Sequence, residues 1–149
     1  MMAEVEEKID NWKEVIEQAY EGAEMCFHQA IWEMSMNAFD IPREVQVVID
    51  GNDKLFISVG TPSFVSFDGQ TTQLKGMRIP LKSWIHTHPF GEAYFSETDL
   101  KTIDMWHRYL ENAIVLGNEQ KMEVHFRCGP NGENYQEFSQ FRFLGDEEE

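Results

Sequence analysis

A chain of 149 residues carries 27 acidic against 12 basic side chains, a formal net charge of -15, and charge of that sign repels nucleic acid and anionic membrane surfaces at long range. One domain is expected, because a chain of this length buries about two-thirds of the surface exposed on unfolding and needs neither disulfide nor partner to build a core. No apolar run approaches the length of a bilayer span, and the N-terminus is acidic where a secretory signal would be basic, so a cytoplasmic protein is expected.

From Val5 to Ala38 apolar residues recur at helical spacing, among them Ile9, Trp12, Ile16, Ala19, Phe27, Ile31 and Met34. This predicts one long helix, or two joined near Gly22, ended by Asp40-Ile41-Pro42 because the residue before a proline is pushed out of the helical region. Extended segments follow at Glu44 to Ile49, Leu55 to Val59 and Phe64 to Phe67, separated by the turn sequences Asp50-Gly51-Asn52-Asp53 and Gly60-Thr61-Pro62. Ser83 to Thr87 reads as a further strand. Ser96 starts a helix with Leu100, Ile103, Trp106 and Leu110 on one face, expected to run to about Asn112. Ala113 to Leu116, Lys121 to Arg127 and Phe138 to Phe143 read as strands, and residues 146–149 as an acidic tail after a single domain of residues 1–145. This order predicts a mixed α/β sheet flanked by helices.

His86-Thr87-His88-Pro89 lies at the end of a predicted strand, and seven residues separate His88 from Ser96-Glu97-Thr98-Asp99. Strand side chains alternate with period two, so His86 and His88 face one way and can hold a single ion, while Thr87 faces the other. Asp99 from the following helix makes a third ligand. A His/His/Asp set leaves a fourth tetrahedral position for water, the arrangement of catalytic zinc. Ser96 followed three residues later by an acid is also a near relative of a helix capping box, and one serine can serve both roles.

His86, Thr87, His88, Pro89, Ser96 and Asp99 match without gap or substitution the signature of the JAMM metalloproteases, also called MPN+ or JAB, and the chain resembles that family over roughly residues 22 to 128. Five fixed positions at roughly one in twenty each would coincide by chance about three times in ten million per register. The resemblance implies a cytidine deaminase-like sheet with the first helix and the post-motif helix on opposite sides. It also implies an upstream glutamate, and Pro42-Arg43-Glu44 before an apolar strand has that form.

The mechanism implied has zinc lowering the pKa of a bound water, Glu44 acting as general base and then acid, and Ser96 donating to the developing oxyanion. The implied reaction is hydrolysis after the C-terminal glycine of a ubiquitin-like protein conjugate or precursor. The segment Thr61 to Met77, with Phe64, Val65 and Phe67 alternating, is either an internal hairpin or an edge that receives the substrate tail as an added strand. Two rivals stand beside this reading: a JAMM peptidase acting on a cell-wall peptide or a sulfur-carrier adduct, and a non-catalytic MPN-type scaffold. Scaffolds of that kind have lost ligands that this chain keeps.

Other candidates have plainer readings. Glu24 and Glu33 are the alternatives to Glu44, but their helical spacing suits a solvated face. His28, His107 and His125 have no partner pattern and read as ordinary surface or core histidines. Cys26 and Cys128 lack metal or redox spacing and read as buried free thiols. Phe90, Tyr94 and Phe95, in the loop between the halves of the motif, are either core or flank a substrate chain.

Overall fold

The structure, a computed structural model, describes residues 7–22, 26–60, 77–106, 109–118, 120–128 and 134–141. Helices α1 (Trp12–Tyr20) and α2 (Phe27–Asn37) precede strands β1 (Val45–Ile49), β2 (Leu55–Val59) and β3 (Ser83–Thr87). Helix α3 (Glu97–Trp106) then leads to β4 (Asn112–Gly117), β5 (Gln120–Cys128) and β6 (Asn134–Phe141). Among the described residues the strands form one six-stranded sheet in the order β2-β1-β3-β4-β5-β6. The pair β3 and β4 is parallel, joined through α3, and every other neighbouring pair is antiparallel. The fold is mixed α/β, as expected.

The N-terminal helical pattern resolves into two helices. Trp12, Ile16 and Ala19 fall on the buried stripe of α1, and Gly22 adopts φ +101 just past its end, a left-handed conformation that glycine takes without steric cost. Helix α2 ends at Asn37, and Phe39 beyond it packs edge-on against Trp12 with ring centroids 5.0 Å apart. Cys26 is the N-cap residue of α2 and is exposed, which corrects the expectation of a buried thiol. The half-in position before a helix does not belong to its apolar stripe.

Because neighbouring strand residues point to opposite faces, β1 and β3 serve two cores at once. Val45, Val47, Ile49, Ile85, Ile114 and Leu116 pack with α1 and α2. Val48, Trp84, Ala113 and Val115 pack with Ile103 of α3 and with Phe95 before it. The N-terminal helices and α3 therefore cover opposite faces. Burying each large aliphatic chain contributes about 1.5–3 kcal/mol, so both faces hold the sheet.

Two predicted elements differ. Helix α3 stops at Trp106 rather than near Asn112, which is the first residue of β4, and Leu110 makes a β-bridge to Leu81 instead of a helical turn. Leu100 is 44% exposed, whereas Asp99, Thr102 and Ile103 are buried. Asp99 points inward, so its i+3 and i+4 neighbours share its face and Leu100 is carried round to solvent. The last strand begins at Asn134, earlier than expected. Phe64 to Phe67, nearly all of Thr61 to Met77, and the tail at 146–149 lie outside the described residues.

Candidate metal centre

The β1–β3 register pairs Val48 with Trp84 and Gln46 with His86, so the face turned to α3 changes along β3 from apolar to polar. Trp84 stacks on the His86 ring with centroids 4.7 Å apart and donates its Nε1–H to Gln46 Oε1 at 3.0 Å. His86 is thereby held flat in the core at 1% exposure. Its Nδ1 is buried and has no hydrogen-bond partner among the described residues.

His88 follows where β3 leaves the sheet, its backbone N–H donating to Leu116 O at 2.8 Å. Its Nδ1 faces the Glu92 carbonyl at 3.4 Å, a contact that favours the proton on Nδ1 and leaves Nε2 as the ligand atom. The loop from Pro89 to Phe95 presses on the end of β4. A Cβ at Gly117 would lie 2.1 Å from the Ala93 backbone nitrogen, so only glycine lets the loop approach. Phe95 is 8% exposed and belongs to the core, whereas Phe90 and Tyr94 are 66% and 53% exposed. Tyr94 meets the His88 ring edge-on at 5.0 Å. Of the three aromatics, Phe95 alone is core.

Ser96 caps α3. Its Oγ accepts the Asp99 backbone N–H at 3.1 Å while Asp99 Oδ2 accepts the Ser96 N–H at 2.9 Å, a reciprocal pair that fixes the first turn. The same Asp99 Oδ2 lies 3.0 Å from His86 Nε2 and 3.4 Å from His88 Nε2. His86, His88 and Asp99 each offer one ligand atom, all within 4.8 Å of one another, and could hold a metal ion. Tetrahedral coordination with bonds of about 2.0–2.2 Å sets ligand atoms roughly 3.3–3.6 Å apart. The two Asp99-to-imidazole distances lie within about 0.3 Å of that range, and the donor set suits such an ion.

The electrostatics agree with that use. Burial by itself would push the Asp99 carboxyl up, but the His86 and His88 imidazoles and the Ser96 N–H outweigh it and hold the group well below the usual carboxylate range. Burial pulls His88 down, and Asp99 first, then the Glu44 charge and the Glu92 carbonyl, more than offset it, leaving His88 raised.

Glu44 is buried at 7% exposure just before β1. Two residues beyond the last β1–β3 pair, it stands across from His88, whose protonation its charge favours. Glu33 lies on α2, beyond the opposite face, and is bonded to Asn37 Nδ2 at 2.8 Å. Glu24 lies outside the described residues. Of Glu33 and Glu44, the two candidates that lie among the described residues, Glu44 is the one on the His88 side of the sheet. His28 sits on α2, and the side chains of His107 and His125 lie outside the described residues.

Thr87 turns to the other face, as its place between the ligands requires, and contacts Ser35 of α2. Sequence reading missed Ser35, Gly117 and the Glu92 carbonyl. Each acts through a contact across the fold or through its backbone, and no spacing rule announces those.

Comparison with known protein families, with curated proteins and with solved structures returns no match for this chain.

Proposed function

We propose that the chain is a zinc-dependent hydrolase of the JAMM type that cleaves an amide bond after the C-terminal glycine of a ubiquitin-like protein. The observation that carries this reading is the convergence of His86, His88 and Asp99 on one ligand point, with Glu44 buried alongside. Two imidazole nitrogens with one carboxylate favour zinc over calcium or magnesium, which take six or more oxygen ligands or keep much of their water. Zinc held there supplies Lewis acidity to the scissile carbonyl and acidifies water.

The remaining chemistry falls to the chain itself. Glu44 takes the proton of the water that attacks the carbonyl carbon and delivers it to the leaving nitrogen as the C–N bond breaks. Ser96 Oγ accepts the Asp99 N–H, which leaves its own hydrogen uncommitted by that bond and able to meet the developing oxyanion. Phe90 and Tyr94 are exposed in the loop between the two halves of the motif, Tyr94 against the His88 ring, and suit the sides of an extended substrate chain. The ubiquitin-like partner rests on the motif resemblance. The metal and the base rest on the geometry as well. No helix among the described residues is long and apolar enough to cross a membrane, and a cytoplasmic location belongs to the same proposal.

The test is hydrolysis of a ubiquitin-like protein fused or isopeptide-linked to a second protein, with a chelator control. Wild-type protein should bind one zinc and cleave in a chelator-sensitive manner. Glu44→Gln should keep the zinc and lose about 100-fold to 10,000-fold in turnover. Chelator-sensitive hydrolysis of short cell-wall peptides with none of the fusions would move the substrate class. A zinc-loaded protein inert on every amide substrate would favour the scaffold reading.

A further inference from the structure

A chain of hydroxyls behind the metal strand grips both peptide groups beside Glu44. Val45 N–H donates to Thr87 Oγ1 at 2.9 Å, Thr87 Oγ1 and Ser35 Oγ lie 2.8 Å apart, and Ser35 Oγ bonds the Arg43 carbonyl at 2.5 Å. The directions are forced. A carbonyl only accepts, so the single Ser35 hydroxyl hydrogen goes to Arg43 O, and Thr87 must therefore donate to Ser35 while accepting from Val45. Val45 N–H belongs to the peptide that follows Glu44, and Arg43 C=O to the one that precedes it. Arg43 N–H donates in turn to the Ser35 carbonyl at 2.9 Å, and Gly60 N–H donates to Glu44 O at 3.0 Å from the β2 side.

The β1–β3 ladder ends at Gln46 and His86. One residue further, a side-chain hydroxyl replaces the strand carbonyl that would continue it. Ser35 and Thr87 are both 0% exposed, where an unmade hydrogen bond is costly, so this linkage is fully satisfied and stiff. It also links the two halves of the site, because Thr87 stands between His86 and His88 on the chain while its hydroxyl fixes the backbone of Glu44.

We propose that Thr87 and Ser35 are positioning residues for Glu44, holding its carboxylate in register with His88 through the two flanking peptide groups. Neither touches substrate or metal, and the inference rests on the reading of Glu44 as the proton carrier. A carboxylate freed to drift by about 1 Å loses on the order of 100-fold in rate although its chemistry is unchanged. The rigid hydroxyl pair behind the sheet is then part of the catalytic geometry rather than filling.

Thr87→Val keeps the β-branched shape and removes the hydroxyl, Thr87→Ser keeps the hydroxyl, and Ser35→Ala breaks the relay from the helix side. In zinc-loaded protein, Thr87→Val and Ser35→Ala should keep zinc affinity within about threefold and lower kcat on the ubiquitin-like fusion by about 10-fold to 100-fold with KM little changed. Thr87→Ser should recover most of the rate. In a Glu44→Gln background, Thr87→Val should cost nothing further, whereas a merely structural role would add its full loss. Amide exchange is read in parallel and needs no activity: Val45 should lose protection about tenfold or more in Thr87→Val and Ser35→Ala, while Val47 and Ile85 keep theirs. Should Thr87→Val fail to fold, Ser35→Ala carries the same measurements. Wild-type Val45 protection in either variant, or an unchanged kcat beside lost protection, overturns the proposal. A wild-type protein that hydrolyses nothing would sink the hydrolase reading, and with it the catalytic meaning of the clamp, while the exchange data still decide whether the clamp exists.

Discussion

The two faces of the sheet treat histidine in opposite ways. On the α2 side His28 is half-buried, its Nδ1 lies 3.2 Å from Lys121 Nζ, and burial together with that charge lowers its pKa to about 4. On the α3 side His88 is also partly buried, yet Asp99 and Glu44 overcome the desolvation and raise it. The first environment keeps an imidazole neutral beside a cation. The second sets the negative charge of Asp99 and Glu44 beside His88, a field that suits a cation. Burial is common to both, so the sign of the neighbours distinguishes a packed histidine from a ligand.

Removing a ligand breaks that contrast most completely. His86→Ala should abolish zinc binding at one ion per chain and, with it, activity by several orders of magnitude, since Lewis acid and activated water are lost together. Asp99→Ala should do the same and also remove half of the reciprocal cap on α3, costing about 1 kcal/mol more in fold stability. Metal analysis decides it, and unchanged zinc in both single variants would end the assignment.

The apolar face should fail in the opposite sense. Ile31 is 0% exposed in the cluster that α1 and α2 make with β1 and β3. Ile31→Ala should lower stability by about 2–5 kcal/mol through lost burial and the cavity left behind, measured by urea unfolding of the zinc-loaded protein. Zinc affinity in the fraction that remains folded should stay within a few-fold, because no ligand sits on that face. A large loss of affinity at unchanged stability would mean that the two faces are not separate.

The site was legible where its information is local. His86, His88 and Asp99 are set by strand alternation and by the first turn of a capped helix, which spacing rules describe directly. Glu44 needed the resemblance, because its nearness to His88 comes from antiparallel pairing across more than thirty residues of intervening chain. Ser35 was out of reach for the same reason, lying 52 residues from the Thr87 hydroxyl it meets. Strand positions were legible within a residue or two on β1 to β5, where apolar runs end at turn residues. The end of α3 was not. Leu110 continues the helical period yet is drawn into a bridge with Leu81, a tertiary contact that outweighs propensity. Leu100 misled because hydrophobicity was read as burial, when the inward face of α3 is fixed by a carboxylate.

The smallest expected effect tests the other half of the histidine contrast. The folded pKa of His28, about 4, lies below the unfolded value near 6.5, so between those limits the unfolded chain binds the extra proton. Stability from neutral His28 is present above about pH 6.5 and is lost as pH falls towards 4. From pH 7 to pH 5 the loss amounts to up to about 2 kcal/mol at 1.36 kcal/mol per unit. His28→Gln retains an oxygen that can accept from Lys121 and carries no titrating group. Urea unfolding of both proteins at pH 7 and pH 5 should therefore show a smaller acid loss in the variant. Acid also weakens any metal held by His86, His88 and Asp99, but that contribution is common to both proteins and cancels in the difference. Equal acid loss in the two would mean that His28 is protonated in the folded protein, and that the α2 face does not exclude charge as its burial and its lysine neighbour require.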